Sequence, residues 1–447
     1  MSNGFAGPHI VRYGFAGDQY LLTEEFLDTY DQVALNAKIV AFRGAALAGF
    51  FIDYLQGKPY FIDPQTYAFQ LDRQHLLSKS KQDVLSKSFV KLIQTYGEPL
   101  LGLIDGSIQS ISSDNLKGDQ SLKSFADRVR RFQLEALEAA SEENDSAKYI
   151  KYIEKKTGKR VRDMRPSMLV APYFYLDLFT WEQWLEVNMR AFHATAKLQN
   201  DQDPPLAIQL VMSKDLLLQD ALRERIAAEY SSLSPHAYLL WIDDLEEQTA
   251  TTEELTALAE LAQALSNKAP VTNLYGGFFS VLLMRHGVFS GVVHGLEYGE
   301  HRSVVPVGGG VASARYYLPA LHTRMFHRDA LRIARRLGGL NSVAAFREKV
   351  CDCHQCATTI SSDPTEDFQS YGQMAKSPKD GRLYPTGTTR DICARHYMWN
   401  KHVEFASKES VHDSLDAMES TAASLSGAIE SRLLAHAKKW SVVLRNL

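Results

Sequence analysis

The chain has 447 residues, 45% of them hydrophobic and 23% charged; this is a globular composition and excludes disordered, collagen-like and coiled-coil proteins. Its 49 basic and 53 acidic side chains give a net charge of −4, so a strongly basic nucleic-acid binder is excluded and any phosphate contact must use local patches. No apolar run reaches the roughly 18 residues of a membrane span, the first residues carry no basic or apolar signal region, and four cysteines are too few for a disulfide scaffold. A cytoplasmic protein without a membrane partner is the expectation.

Residues 1–45 read as a mixed lead-in. At 57–64 a Gly-Lys-Pro turn signal precedes Tyr60, Phe61 and Ile62, and Asp63 closes the run. A buried strand opening into a loop has that pattern. Residues 73–165 are polar and rich in Lys, Ser and Glu, and read as a mostly helical insertion with a helix over 124–147 and a strand at 100–105.

From 167 onward short apolar runs alternate with helical periodicity. The runs are 168–175, 206–212, 237–242, 271–275, 289–294 and 304–307, with helices expected at 216–230, 252–266 and 278–286. Continuous apolar strands separated by helices imply a parallel sheet covered on both faces. The count comes close to eight and no Gly-x-Gly-x-x-Gly follows the first strand, so the α/β class narrows to a (β/α)8 TIM-type barrel. The organisation expected is an N-terminal segment with the first barrel strands at 1–72, the insertion at 73–165, the barrel core at 166–345, and a zinc-binding and helical subdomain at 346–447.

Active sites of such barrels sit at the C-terminal strand ends. Those ends carry Asp63, Asp177, Gln209 with Ser213, Asp243 and Asp244, Gly276 and Gly277, His294 with Glu297, and Gly308 to Gly310. Asp63, Asp243 and Asp244 are the candidate catalytic carboxylates. Asp177, Gln209, Gly276, Gly277, His294, Glu297, Gly308 and Gly309 are the candidate substrate contacts, the late glycines as a backbone phosphate or base cradle. A strand-terminal Asp can equally cap the next helix. Gly291 within its strand marks a close backbone approach.

All four cysteines fall between 351 and 393. Cys351-Asp-Cys353-His-Gln-Cys356 places three thiolates within six residues, and Cys393-Ala-Arg-His396 follows. A structural zinc ion takes four tetrahedral sulfur or nitrogen ligands from such spacings. Cys351, Cys353 and Cys356 supply three; His396 or Cys393 is the fourth, with His354 a further candidate. Just before the cluster, Arg328, Arg332, Arg335 and Arg336 lie on one amphipathic helix over 327–336, and residues 155–165 form a second basic segment. Tyr397, Trp399 and Phe405 read as helix core.

Cys-x-Cys-x-x-Cys after a barrel, then a distant His opening the helix His396-Tyr-Met-Trp, resembles the zinc site of the tRNA-guanine transglycosylase superfamily. The strand ending Phe61-Ile-Asp63 and the stretch Leu274-Tyr-Gly-Gly-Phe are similar to further parts of that family. The resemblance implies queuine- or archaeosine-type base exchange, His396 as the fourth ligand, and a nucleic-acid partner. A divergent relative that inserts 7-deazaguanine bases into DNA fits the departures. The family's nucleophilic Asp would lie on the strand after Gly287, which here reads Val288-Phe-Ser-Gly-Val-Val-His294 and holds no Asp. The function expected is therefore replacement of guanine by a deazaguanine base in DNA or tRNA. The alternative is a catalytically silent barrel that binds nucleic acid or pairs, as homodimer or heteromer, with an active partner.

Overall fold

A computed structural model of the chain describes residues 7–14, 19–55, 57–78, 81–142, 165–296, 300–306 and 313–447. Eight parallel strands form its centre: β1 (His9–Arg12), β2 (Gln32–Asn36), β3 (Tyr60–Asp63), β4 (Leu169–Val170), β5 (Leu206–Met212), β6 (Tyr238–Ile242), β7 (Val271–Asn273) and β8 (Gly291–Gly295). They neighbour one another in chain order, and β8 pairs with β1. The remaining edges, β3 and β4, meet through one parallel bridge, Phe61 to Met168, beside a Ser167 N–H to Tyr60 carbonyl bond of 2.7 Å. The sheet is thus a nearly closed, barrel-like ring.

The strand sequences explain this arrangement. All seven residues of β5, Leu-Ala-Ile-Gln-Leu-Val-Met, are buried. A strand covered on both faces has no solvent side and loses the polar alternation of a surface strand. Helices supply the outer cover: α1 (Ala37–Asp53), α2 (Asp119–Glu142), α3 (Trp181–Ala196), α4 (Asp220–Ser231), α5 (Thr252–Ser266) and α6 (Phe278–Arg285). Thr251 and Glu254 start α5 as a reciprocal cap, with bonds of 2.8 and 3.1 Å, so the helix begins where two orphan N–H groups are satisfied.

Two sequence readings change. Residues 100–105 are a turn and the short helix Gly102–Asp105, not a strand; Gly106 at φ 81° ends it. Residues 304–306 are loop, and the Val304 N–H goes to the Asp243 carboxylate instead of a strand partner. The strand places so vacated are filled from the lead-in, by β1 and β2. The helix expected at 124–147 starts earlier, at Asp119. It packs on α1 and α3, and Gln133 clasps Val170 with two 2.9 Å bonds. That amide completes the ladder of a two-residue strand.

After the barrel come the hairpin β9 (Tyr316–Leu318) and β10 (Thr323–Met325), then α7 (His327–Arg336), α8 (Gly387–Ala406) and α9 (Ala435–Leu444). Arg328, Arg332, Arg335 and Arg336 are exposed on α7, while Ala330, Ile333 and Ala334 are buried. Tyr397 and Phe405 are buried and Trp399 half-buried. Among the described residues no helix is long and apolar enough to cross a membrane.

Candidate functional site

Paired residues of neighbouring parallel strands face the same side of a sheet. Trp241 on β6 pairs with Val211, which places Gln209, two residues earlier on β5, on the same inward face. Asn36 and Asp63 pair at the ends of β2 and β3. Arg12 ends β1, and its guanidinium lies 3.7 Å from Asp63 Oδ2, 3.4 Å from Asn36 Oδ1, 3.1 Å from the Leu274 carbonyl and 4.1 Å above the Tyr275 ring. Asp63 is 1% exposed. Its Oδ1 accepts from the Gln65 N–H at 3.0 Å and from the Tyr173 hydroxyl at 2.5 Å.

Aromatic rings close around this group. Tyr67 stacks on Tyr173 at 5.8 Å and meets Trp241 edge-on at 5.1 Å, and Trp241 lies 5.0 Å from Tyr275. Burial pushes the Tyr67, Tyr173 and Tyr175 hydroxyls up, so each remains a donor at any working pH. Tyr175 donates to Asp243 Oδ2 at 3.0 Å, and the Val304 N–H to Oδ1 at 2.7 Å. Burial raises the Asp243 carboxyl above its ordinary range. Two tyrosines two residues apart thus hold the two carboxylates from one segment.

Several buried polar atoms make no hydrogen bond among the described residues: Asp63 Oδ2, Arg12 Nε and, in the middle of β5, both amide atoms of Gln209, which is fully buried. A buried amide without hydrogen bonds costs about 1–3 kcal/mol per group.

The other expected site residues separate from this centre. Asp244 is exposed at φ 52°, and its Oδ1 accepts from Ser303 at 3.0 Å. Asp177 accepts from the N–H groups of Phe179 and Thr180 at 2.8 and 3.1 Å, the local turn role. His294 pairs in register with Val11 and faces outward, against α8; strand alternation turns it away from the mouth. Gly276 and Gly277 are closely packed: a Cβ on the first would lie 2.5 Å from Val292 Cγ1, and on the second 2.8 Å from Glu247 Oε2. Gly291 is likewise close to Thr272 and Pro8, at 3.0 and 3.3 Å. Glu297, Gly308 and Gly309 lie outside the described residues, as does most of the basic segment at 155–165.

Sequence reasoning missed a cleft of about 50 Å³ beside the mouth, lined by Glu247, Gly277, Phe278, Glu300, His322 and Arg324. Burial pushes the Glu247 carboxyl up to about 7. Its Oε1 accepts from the Ser280 hydroxyl at 2.5 Å. Behind it runs a buried ion network. Lys401 lies 3.0 Å from Glu300 and 2.9 Å from Glu404, and His322 Nδ1 is 2.7 Å from Glu404. Burial opposes ionisation of Glu404, but Lys401 and His322 pull its carboxyl down to about 2. These residues come from loops, the helices α6 and α8 and strand β10, with no local motif. Only the i, i+3 spacing of Lys401 and Glu404 was a signal.

The metal ligands converge. Cys351, Cys353, Cys356 and His396 bring their ligand atoms within 4.8 Å of one another. Nδ1 of His396 is 3.2 Å from Cys353 Sγ, 3.3 Å from Cys356 Sγ and 3.8 Å from Cys351 Sγ. Its Nε2 donates to the Tyr317 carbonyl at 2.6 Å, which fixes the tautomer that leaves Nδ1 a lone pair. The thiols drive one another apart. Cys351 is lowered by Cys353 and Cys356; Cys356 is raised by burial and then by Cys351 and Cys353. A divalent cation such as zinc relieves that conflict with four tetrahedral ligands. Cys393 stands apart, its thiol 3.7 Å from the Tyr371 carbonyl and raised by burial to about 12. His354 is exposed and faces Trp399 at 5.6 Å.

In comparisons with known proteins, no family model matches this chain and no curated protein is similar to it in sequence.

Proposed function

We propose that the protein is a cytoplasmic base-exchange glycosyltransferase on a zinc-stabilised (β/α)8 barrel, replacing guanine in DNA or tRNA by a 7-deazaguanine base. The observation that supports this reading is a group of buried polar atoms without hydrogen bonds: Asp63 Oδ2 and Arg12 Nε at the strand ends, and the Gln209 amide in the middle of β5. A purine edge offers matching donors and acceptors, and Tyr67 and Trp241 supply an aromatic wall beside Asp63.

The chemistry needs two carboxylates. One attacks C1′ and displaces guanine, leaving a covalent glycosyl ester. The other protonates the leaving base and later takes a proton from the incoming one, which attacks C1′ and frees the first carboxylate. Asp63 and Asp243 fill these roles, and Arg12 orients Asp63 through their 3.7 Å contact. Zinc at Cys351, Cys353, Cys356 and His396 holds the fold and touches no reacting atom.

A second reading is a silent barrel that serves an active partner. Its support is β8, where the inward position at the strand end is Gly295, paired with Arg12, and no acid stands there. The deciding experiment is incubation of the zinc-loaded protein with radiolabelled guanine and, separately, DNA and tRNA. Label in either polymer, lost on Asp63→Asn, supports base exchange. No label in either refutes it in favour of the silent barrel.

A further inference from the structure

A second pocket opens on the rim of the same barrel end. It measures about 240 Å³, and Tyr13, Lys38, Phe42, Arg43, Ser86 and Lys87 line it. That is below the ~300–1,000 Å³ of sites that enclose a whole small ligand. A cavity of that size suits one segment of a longer molecule.

Its chemistry is one-signed. Three of its eight lining residues are cations and none is an acid. Among the described residues, Arg43 and Lys87 make no ion pair within the 4 Å that defines one, nor does Lys91 one turn along the same helix, Lys87–Tyr96. Phe42 is 41% exposed on α1, with Lys91 5.9 Å from its ring. The helix departs from helical geometry at Arg43, at φ −130° and ψ 28°. Large exposed aromatics beside unneutralised cations form the pattern that holds single-stranded nucleic acid: the ring stacks a base, the cations track the backbone.

The pocket is wired to the candidate catalytic centre. Tyr13 follows Arg12, which faces Asp63. The Lys38 N–H donates to Gln65 Oε1 at 3.2 Å, and the Gln65 N–H donates to Asp63 Oδ1 at 3.0 Å. A strand whose target nucleotide reached Asp63 would carry its neighbours over this rim.

Resting on the base-exchange reading, we infer that this pocket grips the phosphodiester strand next to the exchanged nucleotide. Lys38, Arg43 and Lys87 contact phosphates, and Phe42 stacks the adjacent base. The shared chemistry is a polyanionic strand with free base faces, which DNA and RNA both provide.

The test is fluorescence anisotropy of the zinc-loaded full chain with a labelled 12-nucleotide DNA strand and its RNA counterpart, over a salt series. The variants are Arg43→Gln with Lys87→Gln, Phe42→Ala, and Arg335→Gln with Arg336→Gln as a control on exposed α7. Each lost phosphate contact on a single strand removes about 0.7 from the slope of log affinity against log salt. The first variant should therefore lose about 1.4 from the slope, and the control nothing. Phe42→Ala should weaken binding about ten-fold with the slope unchanged, the mark of lost stacking. The polymer on which these losses appear is the one the pocket serves. Unchanged slope and affinity on both polymers, or no binding by the unaltered protein, would overturn the proposal. Guanine incorporation by the unaltered protein is read separately. Incorporation with an unaffected pocket variant removes the pocket and keeps the chemistry; pocket-dependent binding without incorporation does the reverse.

Discussion

Glu247 offers a test that needs no substrate. Its carboxyl is 4% exposed, and burial raises its pKa from the usual 4.5 to about 7. A group whose pKa is raised by folding stabilises the fold fully below its unfolded value and loses that contribution as pH rises through the folded value. The window is therefore about pH 4.5 to 7. At about 1.4 kcal/mol per factor of ten in proton affinity, ionised Glu247 costs the fold about 3 kcal/mol at pH 8. Glu247→Gln keeps the shape of the protonated form and removes the titration. One backbone N–H or the Ser280 hydroxyl then meets the amide in a poorer geometry, which offsets about 1 kcal/mol of the gain. Urea midpoints at pH 5 and pH 8 for both proteins give the difference that isolates this residue. The unaltered protein should lose about 2–3 kcal/mol more than the variant between those two pH values. Equal losses in both would show that Glu247 is charged throughout, and that the cleft is wetter than its burial implies.

Elemental analysis should find about one zinc per chain, and Cys353→Ser should bring this close to zero and lower the melting temperature. Asp63→Asn should cut base exchange at least about a hundredfold, with circular dichroism unchanged, because Arg12 retains Asn36, the Leu274 carbonyl and the Tyr275 face; near-normal turnover would put the chemistry on another strand. Gly276→Ala should destabilise by about 1–3 kcal/mol in urea melts, since its Cβ would fall 2.5 Å from Val292 and 2.8 Å from Ser280. Trp241→Ala should abolish binding of a guanine probe by calorimetry if that ring walls the base site, and leave it unchanged if the ring is only core.

What could be read from the sequence had a local cause. Strands β5 and β6 and helix α5 were legible because burial on both sides, or a capping box, writes itself into a few contiguous residues. The Cys351–Cys353–Cys356 group was legible because thiolates so close have few uses. Strands β1 and β2 were not. His9 and Arg12 make β1 look polar, yet each is buried by a partner far along the chain, His294 and Asp63. The outward turn of His294 followed from register, and strand register is set by neighbours that one segment does not reveal. The same holds for Glu247, Glu300 and Arg324, brought together from two loops and the hairpin strand β10.

Helix α8 explains why a metal group far from the mouth matters to the barrel. One face carries His396 into the thiolates. The next turns carry Tyr397, Lys401 and Glu404 into the ion network, and Phe405 stacks on His9 at 4.2 Å. His9 Nδ1 donates to the Thr29 carbonyl at 2.6 Å, and its Nε2 lies 2.7 Å from His294 Nε2. Burial, then the charge of Lys401, lowers His294 to about 3. This contact sits where β1 and β8 meet, the seam at which the chain's first strand joins its last barrel strand. Arg12, three residues along β1 from His9, then faces Asp63. A cation bound at the cysteines would fix α8, which packs on the β1–β8 seam through Phe405 and His9, and the seam sets the direction of Arg12. Metal loss should therefore loosen the Asp63 centre without any contact between the ion and the reacting atoms.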